Sequence, residues 1–187
     1  MNVLILGAGG REHAIAWKVS QSSMLAKLFV APGNAGTSEL AVNVDLDIMD
    51  FAAIAEFALA NQIRIVVVGP EAPLVAGISD YFTSRPELSS VTIVGPSKSG
   101  ARLEGSKDFA KKFMEKHKIP TAKYATFTKS NVSAAKTFLT AMKPPYVIKA
   151  DGLAAGKGVI ITEDLDEAIK TVNSMLLDAS FGAAGAT

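Results

Sequence analysis

Four short apolar runs constrain this chain more than any other feature: NVLIL at residues 2–6, KLFV at 27–30, IRIVVV at 63–68 and VTIV at 91–94. Each is almost continuously apolar, as a strand must be when both faces of a parallel sheet are covered. Between them lie segments with helical patterning, at 11–22, 50–60 and 73–84. Strands alternating with helices imply right-handed crossovers and a doubly wound sheet. Every run also ends in small or turn-forming residues, GAGG, APGNAG, GPEAP and GPSKSG. In an open α/β sheet the carboxyl ends of the strands are where ligands bind, so these four loops are expected to form one crevice.

Beyond about residue 103 the pattern changes. A Lys-rich amphipathic helix at 107–117 leads through KIPTAKYATFT to an expected strand, then to a helix near 132–141, paired strands at 145–150 and 158–162, and a last helix at 165–177. A boundary is expected within GARLEGS, which gives domains of 1–103 and 104–187. The ending, DASFGAAGAT, is Gly-rich and has no capping element, so the second domain is expected to be cut short.

Composition narrows the function. Apolar residues make up 49% against 20% charged, which suits a packed globular protein. Lys and Arg total 19 and Asp and Glu 18, so no global field favours nucleic acid or an anionic membrane, and any phosphate binding has to be local. The absence of cysteine removes disulfides, thiolate metal sites and Cys nucleophiles, and His13 and His117 have no metal-ligand spacing. No basic leader precedes the first strand and no apolar run would span a membrane, so a cytoplasmic location is expected.

The first loop, Gly7-Ala8-Gly9-Gly10-Arg11-Glu12, falls short of a dinucleotide fingerprint because Glu12 stands at its third glycine. Ala31 and Pro32 also stand where a ribose-binding acid would end the second strand, which disfavours NAD. Glycines at a strand-to-helix turn still leave N–H groups for one phosphate, at Gly9 and Gly10, unless they serve only a tight turn. In GPEAP, Glu71 either accepts hydrogen bonds from sugar hydroxyls or caps the next helix. The APGNAG loop offers N–H groups and the Asn34 amide, or is simply a turn. Arg11 and His13 are expected to be ordinary solvated and packed side chains, and Trp17 a core residue.

The second half carries two misplaced lysines. Lys149 lies on the apolar strand YVIKA, where burial without an anionic partner would be costly. Lys107 opens a helix, the end that the macrodipole makes unfavourable for a cation. A triphosphate would answer both. The segment Gly152-x-x-x-Gly156-Lys157-Gly158 is one residue short of a P-loop and has glycine in place of the Mg²⁺-binding hydroxyl. Because it joins two strands, it is expected to cover phosphates as a flap, or else to be a bare hairpin tip.

Together, LGAGGREHA, APGNAGT, VGPEAPLV, LEGSK, KIPTA and VIKADGLAAGKGV closely resemble the phosphoribosylamine–glycine ligases, also called glycinamide ribonucleotide synthetases, ATP-grasp enzymes of de novo purine synthesis. The resemblance runs from Met1 to the end of the chain but covers only the front of such an enzyme. It implies a Rossmann-like, pre-ATP-grasp N-terminal domain followed by the first part of an ATP-grasp domain. It also implies ATP-dependent ligation of glycine to 5-phosphoribosylamine through a glycyl phosphate, using Mg²⁺ or Mn²⁺. Lys107 and Lys149 correspond to the ATP-phosphate lysines, and Gly152, Gly156, Lys157 and Gly158 belong to the flap, with Lys157 expected to add its charge to the stabilisation of the phosphates. Gly9, Gly10 and Glu12 correspond to the sugar-phosphate loop, Asn34 and Gly36 to its neighbour, and Glu71 to the ribose contact. The metal ligands, the main adenine contacts and the glycine pocket are expected beyond residue 187, so the 187-residue chain alone is expected to be inactive. Two other readings are another ATP-grasp enzyme, of biotin-carboxylase or aminoimidazole-ribonucleotide carboxylase type, and a non-catalytic nucleotide- or sugar-phosphate-binding module.

Overall fold

Strand β1 (Asn2–Gly7) is buried along nearly its whole length, as its unbroken apolar sequence requires. It pairs in parallel with β2 (Lys27–Pro32) on one side and β4 (Ile63–Val68) on the other. Two shorter strands, β3 (Val42–Asn43) and β5 (Thr92–Val94), extend the parallel sheet at its edges, in the order β3-β2-β1-β4-β5. The computed structural model describes residues 1–153 and 158–177, and the chain divides into two compact units, Met1–Ala101 and Arg102–Thr187.

The alternation of side chains along β1 sorts the core of the first unit. Val3 and Ile5 pack with Leu28, Val30 and Ala16 of helix α1 (Gly10–Ser20). Leu4 and Leu6 face the other way, into a larger cluster with Ile54 and Ala58 of α2 (Phe51–Ala60). The expected helix at 73–84 is two helices, α3 (Glu71–Ala76) and α4 (Ile78–Thr83), which adds Ile78 and Phe82 to the same cluster. Gly77 divides them in the left-handed region, φ 104°, with its N–H donating to the carbonyls of Pro73 and Leu74; a side chain there would strain the turn. Trp17 is a further correction, being 55% exposed, because the stripe of α1 that meets the sheet runs through Ile15, Ala16 and Val19.

Helix α5 (Lys98–Gly105) contains the division between the units. In the second unit come α6 (Lys107–Lys116), α7 (Val132–Ala141), the antiparallel pair β6 (Tyr146–Lys149) and β7 (Val159–Thr162), and α8 (Leu165–Leu177). Tyr146 and Ile148 of β6 pack with Ala135 and Leu139 of α7 and with Ala168, Val172 and Leu176 of α8. The strand to which KIPTAKYATFT is expected to lead does not form, and the segment itself is not a strand. Pro120 lacks a donor, no described strand lies beside the segment to complete a ladder, and Lys111 Nζ instead donates to Thr121 Oγ1 (2.6 Å) and the Ala122 carbonyl (3.1 Å).

No described helix is long and apolar enough to cross a membrane.

Candidate functional site

Parallel pairing of β2, β1 and β4 brings their carboxyl-end loops together, and polar contacts fasten them. The Gly33 N–H donates to the Gly7 carbonyl (3.2 Å) and the Gly69 N–H to the Leu6 carbonyl (3.1 Å). Asn34 Nδ2 donates to the Ala8 carbonyl (2.9 Å), while Asn34 Oδ1 accepts the Thr37 N–H (3.0 Å). Asn43 Nδ2 donates to the Asn34 carbonyl (2.8 Å), and Asn43 Oδ1 accepts from Thr37 Oγ1 (2.7 Å). In this structure Asn34 is therefore a latch between loops, with both ends of its amide engaged. Thr37 and Asn43 are site supports that no sequence pattern singles out. Gly36 leaves room for a neighbour, since a Cβ there would come within 2.4 Å of the His13 ring.

Glu12 turns inward. Only 5% exposed, it accepts the Gly9 N–H on Oε2 at 2.7 Å. A Cβ on Gly69 would fall 2.1 Å from its Oε1, and one on Gly7 would fall 2.6 Å from its Cγ. The carboxylate thus fills room left by glycines at the ends of two adjacent strands, which explains why a glycine is not needed at position 12 itself. It also engages the Gly9 N–H, one of the donors expected to face a phosphate. The N–H groups of Gly10 and Arg11, in the first turn of α1, have no protein partner among the described residues.

Arg11 is solvated, as its position suggests, but it is also engaged. Its Nη1 donates to the Gly69 carbonyl at 2.7 Å and its Nη2 to Glu71 Oε1 at 3.3 Å. Glu71 is the first residue of α3, and its carboxyl is held below its ordinary 4.5. The largest cause is a hydrogen bond from its own backbone N–H; partial desolvation opposes it, and the Arg11 guanidinium adds to it. Folding therefore favours the Glu71 anion, an effect present above pH 4.5 and lost as pH falls through the lowered value. Carbon-13 NMR titration is expected to place the Glu71 midpoint below 4.5 in the native chain and to move it upward in Arg11→Met.

In the second unit the polar centre is Asp151. Its Oδ1 accepts the N–H groups of Lys107 (2.5 Å) and Asp108 (3.1 Å), and its Oδ2 accepts the Ser106 hydroxyl (2.9 Å). Ser106 Oγ in turn accepts the Phe109 N–H (3.1 Å). A carboxylate distant in sequence thereby caps α6. It supplies the negative charge that Lys107 was expected to find in a ligand, while Lys107 Nζ donates to the Gly152 carbonyl (2.8 Å).

Lys149 is exposed, which corrects the expectation of a buried cation. Side chains alternate along β6, so Tyr146 and Ile148 turn to the helices while Val147 and Lys149 turn away, opposite Ile161 and Val159 of β7. Lys149 and Lys107 therefore flank the root of the segment that begins with Asp151 and Gly152; Gly152 adopts φ 87° and Gly158 is buried. Gly156 and Lys157 lie outside the described residues. Among the described residues no group of three His, Asp or Glu side chains could hold a metal ion.

The first unit also contains a cavity of about 450 Å³, but its walls, including Met1, Asn2, Leu59, Gln62 and Arg64, lie at the amino ends of β1 and β4, away from the crevice.

Two family profiles match the chain in succession. The profile of "Phosphoribosylglycinamide synthetase, N domain" matches residues 1–104, and that of "Phosphoribosylglycinamide synthetase, ATP-grasp (A) domain" matches residues 105–187. The chain belongs to the phosphoribosylglycinamide synthetase family. A phosphoribosylamine–glycine ligase of Pseudomonas aeruginosa is 52% identical over 187 residues, which is 99% of this chain and 42% of that protein. Among solved structures, the phosphoribosylamine–glycine ligase of Thermotoga maritima superposes with a TM-score of 0.69 at 34% identity, over 95% of this chain and 40% of that one. The biotin carboxylase domain of Hydrogenobacter thermophilus 2-oxoglutarate carboxylase gives 0.66 at 17% identity, over 92% of this chain and 40% of that one, a likeness of fold alone. The chain thus spans less than half the length of the synthetase-family proteins it matches.

Proposed function

We propose that this chain forms the front of an ATP-dependent ligase that joins glycine to 5-phosphoribosylamine. The observation that carries this reading is the succession of the two synthetase-family domains along the whole chain, in their family order. In the reaction, a glycine carboxylate oxygen attacks the γ-phosphorus of ATP and releases ADP. The amine of phosphoribosylamine then attacks the acyl carbon, the C–O bond to phosphate breaks, the nitrogen loses a proton, and glycinamide ribonucleotide forms. No protein nucleophile is needed, and the protein's task is to position the reactants and stabilise charge.

On this reading the crevice of the first unit takes the sugar phosphate. The open N–H groups of Gly10 and Arg11 favour the 5′-phosphate at the positive end of α1, held in shape by Glu12 and by the Asn34–Gly36 loop. Glu71, kept ionised, accepts from the ribose hydroxyls. In the second unit Lys149 and Lys107 suit the ATP phosphates, with the segment from Gly152 through Gly156 and Lys157 to Gly158 as their cover. Lys107 already touches the first glycine of that segment, so phosphate binding and flap position would be coupled through one ammonium group. The Mg²⁺ that such phosphoryl transfer uses to neutralise charge does not fit the described carboxylates: Asp151, the one beside the flap, is committed to α6.

The test is ADP release by full-length enzyme carrying this sequence, which is expected to require both glycine and phosphoribosylamine. Release that needs bicarbonate instead of glycine would favour a carboxylase. Glu71→Ala is expected to raise KM for phosphoribosylamine about tenfold, leaving KM for ATP nearly unchanged. Equal rises in the two constants would remove Glu71 from the sugar site.

A further inference from the structure

An arginine in the first turn of a helix sits at the end whose partial charge is positive, so it needs a local reason to be there. Arg11 has one. Its guanidinium reaches a loop about 60 residues away in sequence, holding the main chain at Gly69 O (2.7 Å) with one fork nitrogen and the Glu71 carboxylate (3.3 Å) with the other. A lysine ammonium can reach two acceptors, but it lacks the rigid planar fork that fixes their spacing. The side chain is 62% exposed, so these contacts add little to folding stability. What they do is tie the carboxylate to the turn that carries the free N–H groups of Gly10 and Arg11.

Resting on the sugar-phosphate reading above, we propose that Arg11 is a positioning residue of that site: it fixes Glu71 at a set distance from the first turn of α1 and acts on the ribose through Glu71, without itself binding the phosphate. A ligand that joins phosphate to a ribose hydroxyl has a fixed span, and the Arg11 fork would match the protein to it. Loss of the fork leaves both binding elements present but out of register. The Glu71 backbone N–H does most to favour the anion, the form that accepts from hydroxyls, and the same guanidinium adds to it.

The test uses the 187-residue chain and two probes, ribose 5-phosphate and inorganic phosphate, with affinities measured by calorimetry. Arg11→Met is expected to weaken ribose 5-phosphate about tenfold while leaving inorganic phosphate within about twofold. Arg11→Lys should recover only part of the loss. Placed on a Glu71→Gln background, Arg11→Met should add nothing further, because a residue that acts through another shows strong non-additivity. Equal weakening of both probes would mean that Arg11 binds phosphate directly, and multiplying effects in the double variant would mean that it acts independently of Glu71; either result overturns the proposal. Failure of the native chain to bind ribose 5-phosphate would overturn the sugar-phosphate reading itself, and this inference with it.

Discussion

Replacing Gly69 by alanine is expected to destabilise the Met1–Ala101 unit by about 2–3 kcal/mol, an overpacking cost combined with a disturbed buried hydrogen bond. The new Cβ would stand 2.1 Å from Glu12 Oε1 and 2.6 Å from its Cδ. A surface glutamate would swing away at little cost. This one is 5% exposed, accepts the Gly9 N–H and is walled by Gly7 on another side, so retreat means breaking that bond or leaving a void. The decisive control is Glu12→Ala, which removes the obstacle. In that background Gly69→Ala should cost at least about 1 kcal/mol less, the coupling expected of residues in contact. Urea unfolding followed by Trp17 fluorescence reads the first unit, since Trp17 is the sole tryptophan. A Gly69→Ala midpoint equal to the native one would show that the Glu12 pocket yields freely.

Asp151→Ala should cost the second unit a similar amount, about 2–3 kcal/mol, because one carboxylate serves three donors there. Alanine leaves the Lys107 and Asp108 N–H groups without their acceptor, and both are partly buried. Ser106 keeps its own bond to the Phe109 N–H, so α6 would fray from its first residue without losing its whole cap. Asp151→Asn retains an acceptor oxygen but not the charge and is expected to cost about half as much. Far-UV circular dichroism should report the shift in the urea transition, while the Trp17 signal from the other unit stays in place. Amide exchange at Lys107 and Asp108 as slow as in the native chain would contradict the proposed cap.

Much of the framework was legible because it depends on local periodicity. Strand β4 at Ile63–Val68 and helices α7 at Val132–Ala141 and α8 at Leu165–Leu177 have the residue limits expected from sequence. Strand β3 escaped because two residues at a sheet edge carry no periodic signal. The break at Gly77 was missed because the flanking residues are apolar on both sides, and only the left-handed backbone separates two helices from one. Lys149 was misread because the apolar strand YVIKA does not reveal which of its faces the helices cover; packing of Tyr146 and Ile148 on α7 and α8 decides that. The candidate site was half legible. Its glycines and Glu71 lie in marked turns and Lys107 opens a marked helix, whereas Arg11 with Glu71 and Asp151 with Lys107 are pairs separated by 60 and 44 residues, which no local pattern can join.

The pocket around Glu12 also limits how this loop can evolve. Gly7, Gly69 and Glu12 share one volume, so a larger residue at either glycine is blocked until the glutamate has gone. Loss of the glutamate first leaves an empty space between two strand ends and an amide at Gly9 without its acceptor. Each single step is a descent, whichever residue changes first. Among descendants of this sequence the three positions should therefore be inherited as a block, kept together or exchanged together, and a lineage that acquires a different loop here must pass through a less stable ancestor.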